Sequence, residues 1–572
     1  MIQKSGSAGS RSQPYDAIVV GSGISGGWAA KELAEKGLRV LLLERGPNIE
    51  HRKYPTEWMQ PWQFAHRGRG DRPLYEEEYP IQSQCYAFGE ATQHLFVNDR
   101  EHPYLAPEEK PFRWIRGYHL GGRSLMWGRQ VYRWSDLDFE ANLRDGHGVD
   151  WPIRYKDVAP WYSHVERFIG VSGEKRGLPH LPDGEFLPPW ELNCAETALK
   201  EGVEGKFPGR VVTPGRVTNL TRDHNGRVRC QARSQCERGC SFGAYFSSLS
   251  STLPAAHATG NLTLVTDAIV ESVLFDEQRG RAAGVRVIDR ETKQDREYFG
   301  RLVFLCASTI ATTQIMLNSK SRRFPDGIAN SSGVLGHYLM DHPFQAGATG
   351  KLPGMEDQYY YGRRPNGIYI PRFRNLRGGD SDGVGFVRGY GYQGSASRSG
   401  WGRGAWSPGI GVQLKEKLRQ PGPWEFWLGA WGEMLPREEN HVALDPVQKD
   451  QWGIPLLRIS CSWSDNERKM MADGAAQAAA MLEAAGCTDV SAYNNLPPPG
   501  FCIHEMGTAR MGRDPKTSVL NAYNQAHDVP NLFVTDGACM ASSANQNPSI
   551  TYMALTARAA DYAVGEMKRG NL

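Results

Sequence analysis

At 572 residues the chain has the length of a two-lobed enzyme or of a few domains. Its 66 basic and 63 acidic residues nearly cancel, leaving a net charge of +3 with no cationic block, which excludes nucleic-acid binding as the main role. The longest apolar run, Leu302–Met316, is broken by Ser, Thr and Gln, so no membrane span is expected, and ten cysteines are too sparse for a disulfide scaffold.

The opening residues MIQKSGSAGSRSQP lack the apolar centre of an export signal, and 1–13 read as a disordered tail. YDAIVVGSGISGGWAAKELAEKGLRVLLLERG follows: a strand at Ala17–Val20, a glycine turn, a helix over about Ser25–Glu35 ended by Gly37, and a second strand at Arg39–Leu43. Residues 50–115 show little periodicity and read as loops and short elements. A second glycine-rich stretch covers Gly117–Gly128, and 150–225 mix helix with loop. Strands are expected across 261–300, with a turn at Glu277–Gly280, and again at RLVFLCAS. Residues 345–460, rich in aromatics and glycine, read as an antiparallel sheet with long turns. Met470–Ala485 is an alanine-rich helix. NLFVTDGACM is a late strand and turn, and a last helix runs over about Pro548–Lys568.

Gly21-Ser22-Gly23-Ile24-Ser25-Gly26 is a G-x-G-x-x-G fingerprint in its proper strand–turn–helix setting. Gly21 permits the tight turn, Gly23 lets backbone approach a pyrophosphate at the helix N-terminus, and Gly26 permits close helix–strand packing. Glu44, at the end of the second strand, would bond ribose hydroxyls and disfavours a 2′-phosphate, hence NADP. NAD and FAD both remain; the late Asp-Gly of NLFVTDGACM favours FAD.

Three thiols, Cys230, Cys236 and Cys240, crowd RVRCQARSQCERGCSFGAYF in a C-x5-C-x3-C pattern. Zinc wants four ligands at shorter spacing, a disulfide strands one thiol, and apolar core cysteines do not cluster among Arg and Glu. A three-iron cluster needs three thiolates, where the two-iron and four-iron kinds take four. Zinc and plain thiols remain the alternatives.

The sequence resembles the glucose–methanol–choline (GMC) oxidoreductase family nearly end to end, through the fingerprint, GYHLGGRSLMWGR (117–129), NLTLVTDAIVESV, FCIHEMGTARMG and ANQNPSITYMALTARAADY. Within it the chain is similar to bacterial FAD-dependent sugar dehydrogenases, and RGYHLGGRSLMWGRQ, DWPIRYKDVAPWY and YYYGRRPNGIYIPRFRN resemble the catalytic subunit of glucoside 3-dehydrogenases. The resemblance implies an α/β fold with an α+β second lobe, of the pyranose-oxidase kind. A Rossmann-like FAD-binding domain would take 14–50, 110–130, 210–320 and 500–572, including the cysteine segment. A substrate-binding domain on an antiparallel sheet would take 51–109, 131–209 and 321–499.

Oxidising an alcohol requires hydride loss to the flavin and removal of the hydroxyl proton, work for a neutral imidazole and a second polar group. By resemblance, His504 in IHEMGTARMG is the base and Asn547 in NQNPSIT holds the hydroxyl, with Pro548 starting the last helix and Thr551 lining the flavin. HEMGT is no zinc motif, since position 508 is Thr where a second His is required. Other histidines, among them His94, His119 and His342, read as structural. Gly121, Gly122 and Ser124 resemble the loop beside the isoalloxazine. The stretch after Arg123, Ser-Leu-Met-Trp, has no His for a covalent link, so FAD is expected to be non-covalent. Val270 matches the adenine-contacting strand position, and Asp536 and Gly537 the C-terminal flavin contacts.

The resemblance also implies a three-iron, four-sulfur (3Fe-4S) cluster on the cysteine trio. The expected function is therefore a dehydrogenase oxidising a ring secondary alcohol of a sugar or glycoside, most specifically C3 of glucosides. Electrons would pass to a cytochrome c-type acceptor, and a small subunit bearing a twin-arginine signal would carry the chain to the periplasm. PWEFWLGAWGE and EDQYYYGRRPNGIYI suit sugar stacking. The alternatives are a gluconate, fructose or glucose dehydrogenase acting at another carbon, a pyranose oxidase, and a nucleotide-binding module without catalysis.

Overall fold

Ala17–Val20, Val40–Leu43 and Leu302–Leu305 are apolar runs with no polar face and are fully buried, the pattern of parallel strands covered on both sides. In the computed structural model, which describes residues 2–4, 14–358, 365, 367–405 and 407–572, they form the centre of an eight-stranded sheet. Its order is Ile2–Lys4, Leu262–Thr266, Val40–Leu43, Tyr15–Val20, Asp295–Leu305, Arg281–Asp289 and Ala268–Asp276, with Leu532–Val534 as a further partner of Asp295–Leu305. Arg281–Asp289 runs antiparallel to both its neighbours and the remaining pairings are parallel. The helix Ile24–Glu35 leaves the glycine turn and packs on the C-terminal helix Ser549–Lys568 and on Thr252–Ala258. Ile2–Lys4, expected within a disordered tail, is instead an edge strand beside Leu264–Thr266; residues 1 and 5–13 lie outside the described residues.

The second sheet has six antiparallel strands in the order Thr488–Asn494, Ala346–Leu352, Trp424–Gly432, Tyr390–Arg398, Ile368–Ile370 and Thr213–Pro214. Side chains alternate across it. Tyr390, Tyr392, Leu428 and Ala430 are buried with Met470, Met471, Ala478 and Met481 of the helix Asp465–Ala484, whose start is capped by Ser464 and Glu467. The opposite register positions, Gln393, Ser395, Ser397, Trp427 and Trp431, line a large cavity between the two sheets.

The core divides differently from the sequence partition. Tyr54, Cys85, Leu95 and Phe96, expected with the antiparallel sheet, share the core of Ala17, Val19 and Leu33. Trp134, Trp151 and Tyr162 likewise pack with Ile18 and Leu41, as do Val442 and Leu457 of the separate hairpin His441–Lys449/Pro455–Ser460. Thr213–Pro214, expected with the Rossmann-like part, pairs with Ile368–Tyr369. No helix among the described residues is long and apolar enough to cross a membrane.

Candidate active site

The cavity, of about 970 Å³, runs from Glu44 and Val270 past Gly23 and Gly122 to His504 and Asn547, the size of a large ligand site (about 300–1,000 Å³). Gly23 caps the first helix with no side-chain bond to its N–H groups, and a Cβ placed there would meet nothing within 4 Å. That helix end therefore offers unpaired N–H groups to an anion. Glu44 accepts from Ser22 N (3.1 Å), Ser22 Oγ (2.5 Å) and Gly46 N (2.9 Å), and its burial pushes the carboxyl up. Ser22 Oγ in turn accepts from Gly121 N at 2.9 Å. This ties the second glycine loop, with Gly121 at φ +85° and Gly122 at +48°, to the first. Ser124 Oγ donates to Gly121 O (2.5 Å) and accepts from Ser248 N (3.1 Å), locking the loop from behind.

At the far end the loop after Gly500 carries His504. Asp341, fully buried, accepts from the backbone N–H of Gly500 (2.7 Å), Cys502 (3.2 Å) and His504 (3.1 Å), and burial together with Glu505 raises its carboxyl to about 7. Arg123 forms a two-pronged ion pair with Glu505 (3.1 and 2.9 Å). His504 Nδ1 lies 2.9 Å from His342 Nδ1, and burial, with His342 and Arg123 adding, holds its imidazole well below the ordinary histidine value. Asn547 Oδ1 accepts from Gln393 Nε2 at 2.8 Å, which leaves the Asn547 NH₂ as the donor facing the cavity. One cavity is thus lined by both a neutral imidazole and an amide donor, the complement of one alcohol hydroxyl.

Residues 213–344 and 436–556 match family models described as GMC oxidoreductase, and 19–52 match one described as an NAD(P)-binding Rossmann-like domain. The chain belongs to the GMC oxidoreductase family. It is 29% identical to the 2-methyl-1,2-propanediol dehydrogenase of Mycolicibacterium austroafricanum, over 96% of this chain and 94% of that protein. It is 26% identical to the fructose dehydrogenase large subunit of Gluconobacter japonicus (97% and 98%) and to the gluconate 2-dehydrogenase flavoprotein of Pantoea cypripedii (95% and 92%). Pyridoxine 4-oxidase from Mesorbium loti shares the fold at 16% identity, with a TM-score of 0.59 over 96% of this chain and 98% of that one.

This GMC oxidoreductase is a flavin-dependent enzyme acting on the CH–OH group of an alcohol or sugar. FAD fits the cavity on the structure's own terms: a bare helix N-terminus for the pyrophosphate, an acid for the ribose and a long channel to His504 and Asn547. Of the expected contacts, Gly21, Gly23, Glu44, Gly122, Ser124, Val270, Asp536 and Gly537 line the cavity. Gly26 and Gly121 shape it from behind. Asp536 accepts from Thr312 Oγ1 (2.5 Å) and Ala538 N (2.9 Å), and burial raises it to about 6. Thr551 is the exception: its hydroxyl pairs with Tyr162 OH at 2.8 Å, away from the cavity, and Ser549 and Tyr552 take the lining places on that helix. His504 is the only histidine among the described cavity-lining residues. The sequence reading missed Asp341, Gln393 and the Arg123–Glu505 pair and took His342 for structural. Asp341, His342, Gln393 and Arg123 reach the His504 and Asn547 loops across more than a hundred residues, a distance at which no spacing signal exists. Of EDQYYYGRRPNGIYI, Tyr359–Tyr361 lie outside the described residues; in PWEFWLGAWGE, Trp424, Trp427 and Trp431 line the cavity.

The cysteine trio lies on the same cavity's flank. All three thiols are free and half-buried, and the short turn Cys236–Arg238 packs on Gly122–Leu125 of the flavin loop. Ala232, Ser234 and Gly239 hold positive φ (52°, 58° and 87°), a tight coil that turns Ala232 N toward Cys230 Sγ at 3.5 Å. Arg233 Nη2 stands 4.0 Å from Cys240 Sγ, and Arg129, beside Cys236, pairs with Glu237 at 3.4 Å. Burial pushes the Cys230 thiol up, and the neighbouring Cys236 and Cys240 add to it. Among the described residues the one group whose ligand atoms all come within 4.8 Å is His342, Cys502 and His504.

Proposed function

We propose that this GMC oxidoreductase is a dehydrogenase of a ring secondary alcohol in a sugar or glycoside, C3 of glucosides in particular, with non-covalent FAD. The observation that carries it is the acceptor–donor pair of His504 and Asn547 at the foot of a sheet face that is polar along Gln393, Ser395 and Ser397 and aromatic at Trp427 and Trp431. Trp427 and Trp431 meet edge to face at 5.7 Å and offer ring faces for the C–H side of a pyranose. The Asn547 NH₂ holds the alcohol oxygen, and His504, neutral because burial depresses it, takes the hydroxyl proton. Bound FAD supplies the hydride acceptor. Asp341 keeps the His504 loop in place, and the Arg123–Glu505 pair closes the flank next to it without leaving an unpaired charge.

Cys230, Cys236 and Cys240 would hold a 3Fe-4S cluster, which supplies one-electron transfer to a cytochrome c-type acceptor. The N–H donor at Cys230 and the cations at Arg129 and Arg233 support that reading. One relative is named as a large subunit, which supports a smaller companion; export to the periplasm with a twin-arginine-bearing subunit belongs to the same proposal.

The test is anaerobic mixing with methyl glucosides, free hexoses, gluconate and a vicinal diol, following the flavin band, with NMR of the product. A 3-keto glycoside and loss of the band in wild type but not in His504→Ala support the reading. A 2-keto or 5-keto product moves it to another carbon, and stoichiometric peroxide in air makes the enzyme an oxidase. Iron and acid-labile sulfide assays decide the cluster.

A further inference from the structure

We propose that His342 is a positioning residue that sets the tautomer of His504, so that His504 meets the substrate hydroxyl with a bare Nε2. The inference rests on the reading of His504 as the base and adds what makes it one.

The argument runs outward from the core. His342 is fully buried, and its Nε2 lies 3.0 Å from the Ser543 carbonyl oxygen. A carbonyl oxygen only accepts, so Nε2 carries the hydrogen. Burial lowers the His342 imidazole to about 4, so near neutrality it has no second proton, and its Nδ1 is a lone pair. That lone pair faces His504 Nδ1 at 2.9 Å, a hydrogen-bond length. Two bare nitrogens would repel there, so the shared hydrogen belongs to His504. A neutral imidazole has one N–H; with it on Nδ1, Nε2 is left as the acceptor. Without His342 the ring is free to carry its hydrogen on Nε2, the wrong nitrogen for accepting a proton.

The other groups around the pair agree. Cys502 Sγ, 3.6 Å from His504 Nδ1, is a weak acceptor that can share the same Nδ1–H. Asp341 spends its oxygens on backbone N–H groups, and Glu505 is paired with Arg123, so no carboxylate competes for the Nδ1 hydrogen. The two imidazoles and Cys502 also form the one compact ligand group among the described residues. However, two imidazoles on a tetrahedral zinc stand about 3.3 Å apart, given Zn–N bonds of about 2.0–2.1 Å, and the 2.9 Å found here is a hydrogen bond. In the reaction the O–H proton passes to His504 Nε2 while the C–H electron pair leaves as hydride to the flavin and the O–H pair becomes the second C–O bond. The resulting imidazolium keeps its Nδ1–H bonded to His342.

The experiment uses the FAD-loaded enzyme with ¹⁵N-labelled histidine, assigning His504 by its loss in His504→Ala. Two variants are compared: His342→Leu, which removes the acceptor, and His342→Asn, whose Oδ1 accepts but never donates. Wild type and His342→Asn are expected to show the Nδ1–H tautomer at His504. His342→Leu is expected to show Nε2–H and to reduce its flavin about 100-fold more slowly, as for loss of a general base (about 10²–10⁴-fold), while Asn recovers most of the rate. A structural role alone would not move the tautomer. An Nε2–H signal at His504 in wild type overturns the inference even if His342→Leu fails to fold, and so does wild-type flavin reduction in His342→Leu. If instead His504→Ala reduces its flavin normally, the base reading itself fails, an outcome separate from the tautomer result.

Discussion

Gly23 and Gly26 stand three residues apart in the same turn, yet substituting each by alanine should fail in opposite ways. A Cβ at position 26 would sit 1.7 Å from the Gly21 carbonyl oxygen and 2.7 Å from its carbon. Both are backbone atoms of the central strand's end, so helix and strand must part by more than about 1 Å, overpacking that costs about 3 kcal/mol. Spread over an unfolding entropy of about 1.2 kcal/mol/K for a chain of this length, from about 2.1 cal/mol/K per residue, Gly26→Ala should melt about 2–3 °C below wild type even without flavin. Position 23 has φ −67° and ψ −156°, open to any residue, and its Cβ would meet nothing. Gly23→Ala should therefore leave the apoprotein's melting unchanged. Its methyl stands where the pyrophosphate must approach; losing two charge-assisted N–H bonds at about 1.5 kcal/mol each weakens FAD by about 100-fold. Flavin content after dialysis, and melting of apoprotein and FAD-loaded protein at fixed FAD, separate the two. Wild-type flavin retention in Gly23→Ala would refute the placement of the pyrophosphate at this helix end.

Asn547→Asp exchanges the cavity-facing NH₂ for an acceptor and should keep FAD while slowing flavin reduction at neutral pH by about 100-fold; Gln393→Leu, which frees the amide to rotate, should fall between it and wild type in stopped-flow traces. Cys236→Ser should leave sugar-driven flavin reduction intact but abolish transfer to cytochrome c and lower bound iron. The pH profile of kcat/KM for flavin reduction should keep its acid limb below pH 6.5, because burial and the Arg123 cation disfavour the imidazolium. Arg123→Met removes that cation and frees the Glu505 carboxylate, two changes that both favour protonation, so the acid limb should move to higher pH. A limb that stays or moves down contradicts the electrostatic account.

The Rossmann-like turn was legible because its signals are local: Gly21, Gly23, Gly26 and Glu44 act within one βαβ unit, where chain spacing is nearly spatial spacing. The aromatics and glycines of residues 345–460 likewise marked an antiparallel sheet. Thr551 shows where local reading stops. Successive helix positions point about 100° apart, so which of Thr551 and Tyr552 meets the cavity depends on how the helix is docked. The tail failed for a related reason, since the short polar segment Ile2–Lys4 becomes a strand only because the edge at Leu264–Thr266 receives it.

By itself the sequence determined the dinucleotide turn, which rests on residue identity and on dihedral and steric rules acting over a few neighbours, and it offered His504 and Asn547 through the motifs around them. Tertiary structure alone decided their chemical state. His342 reaches His504 across 162 positions and Gln393 reaches Asn547 across 154, and those contacts set which atom donates and which accepts. Hydrogen bonds and desolvation act through space within a few ångströms, and only the docking of the antiparallel sheet against the C-terminal loops brings such partners that close.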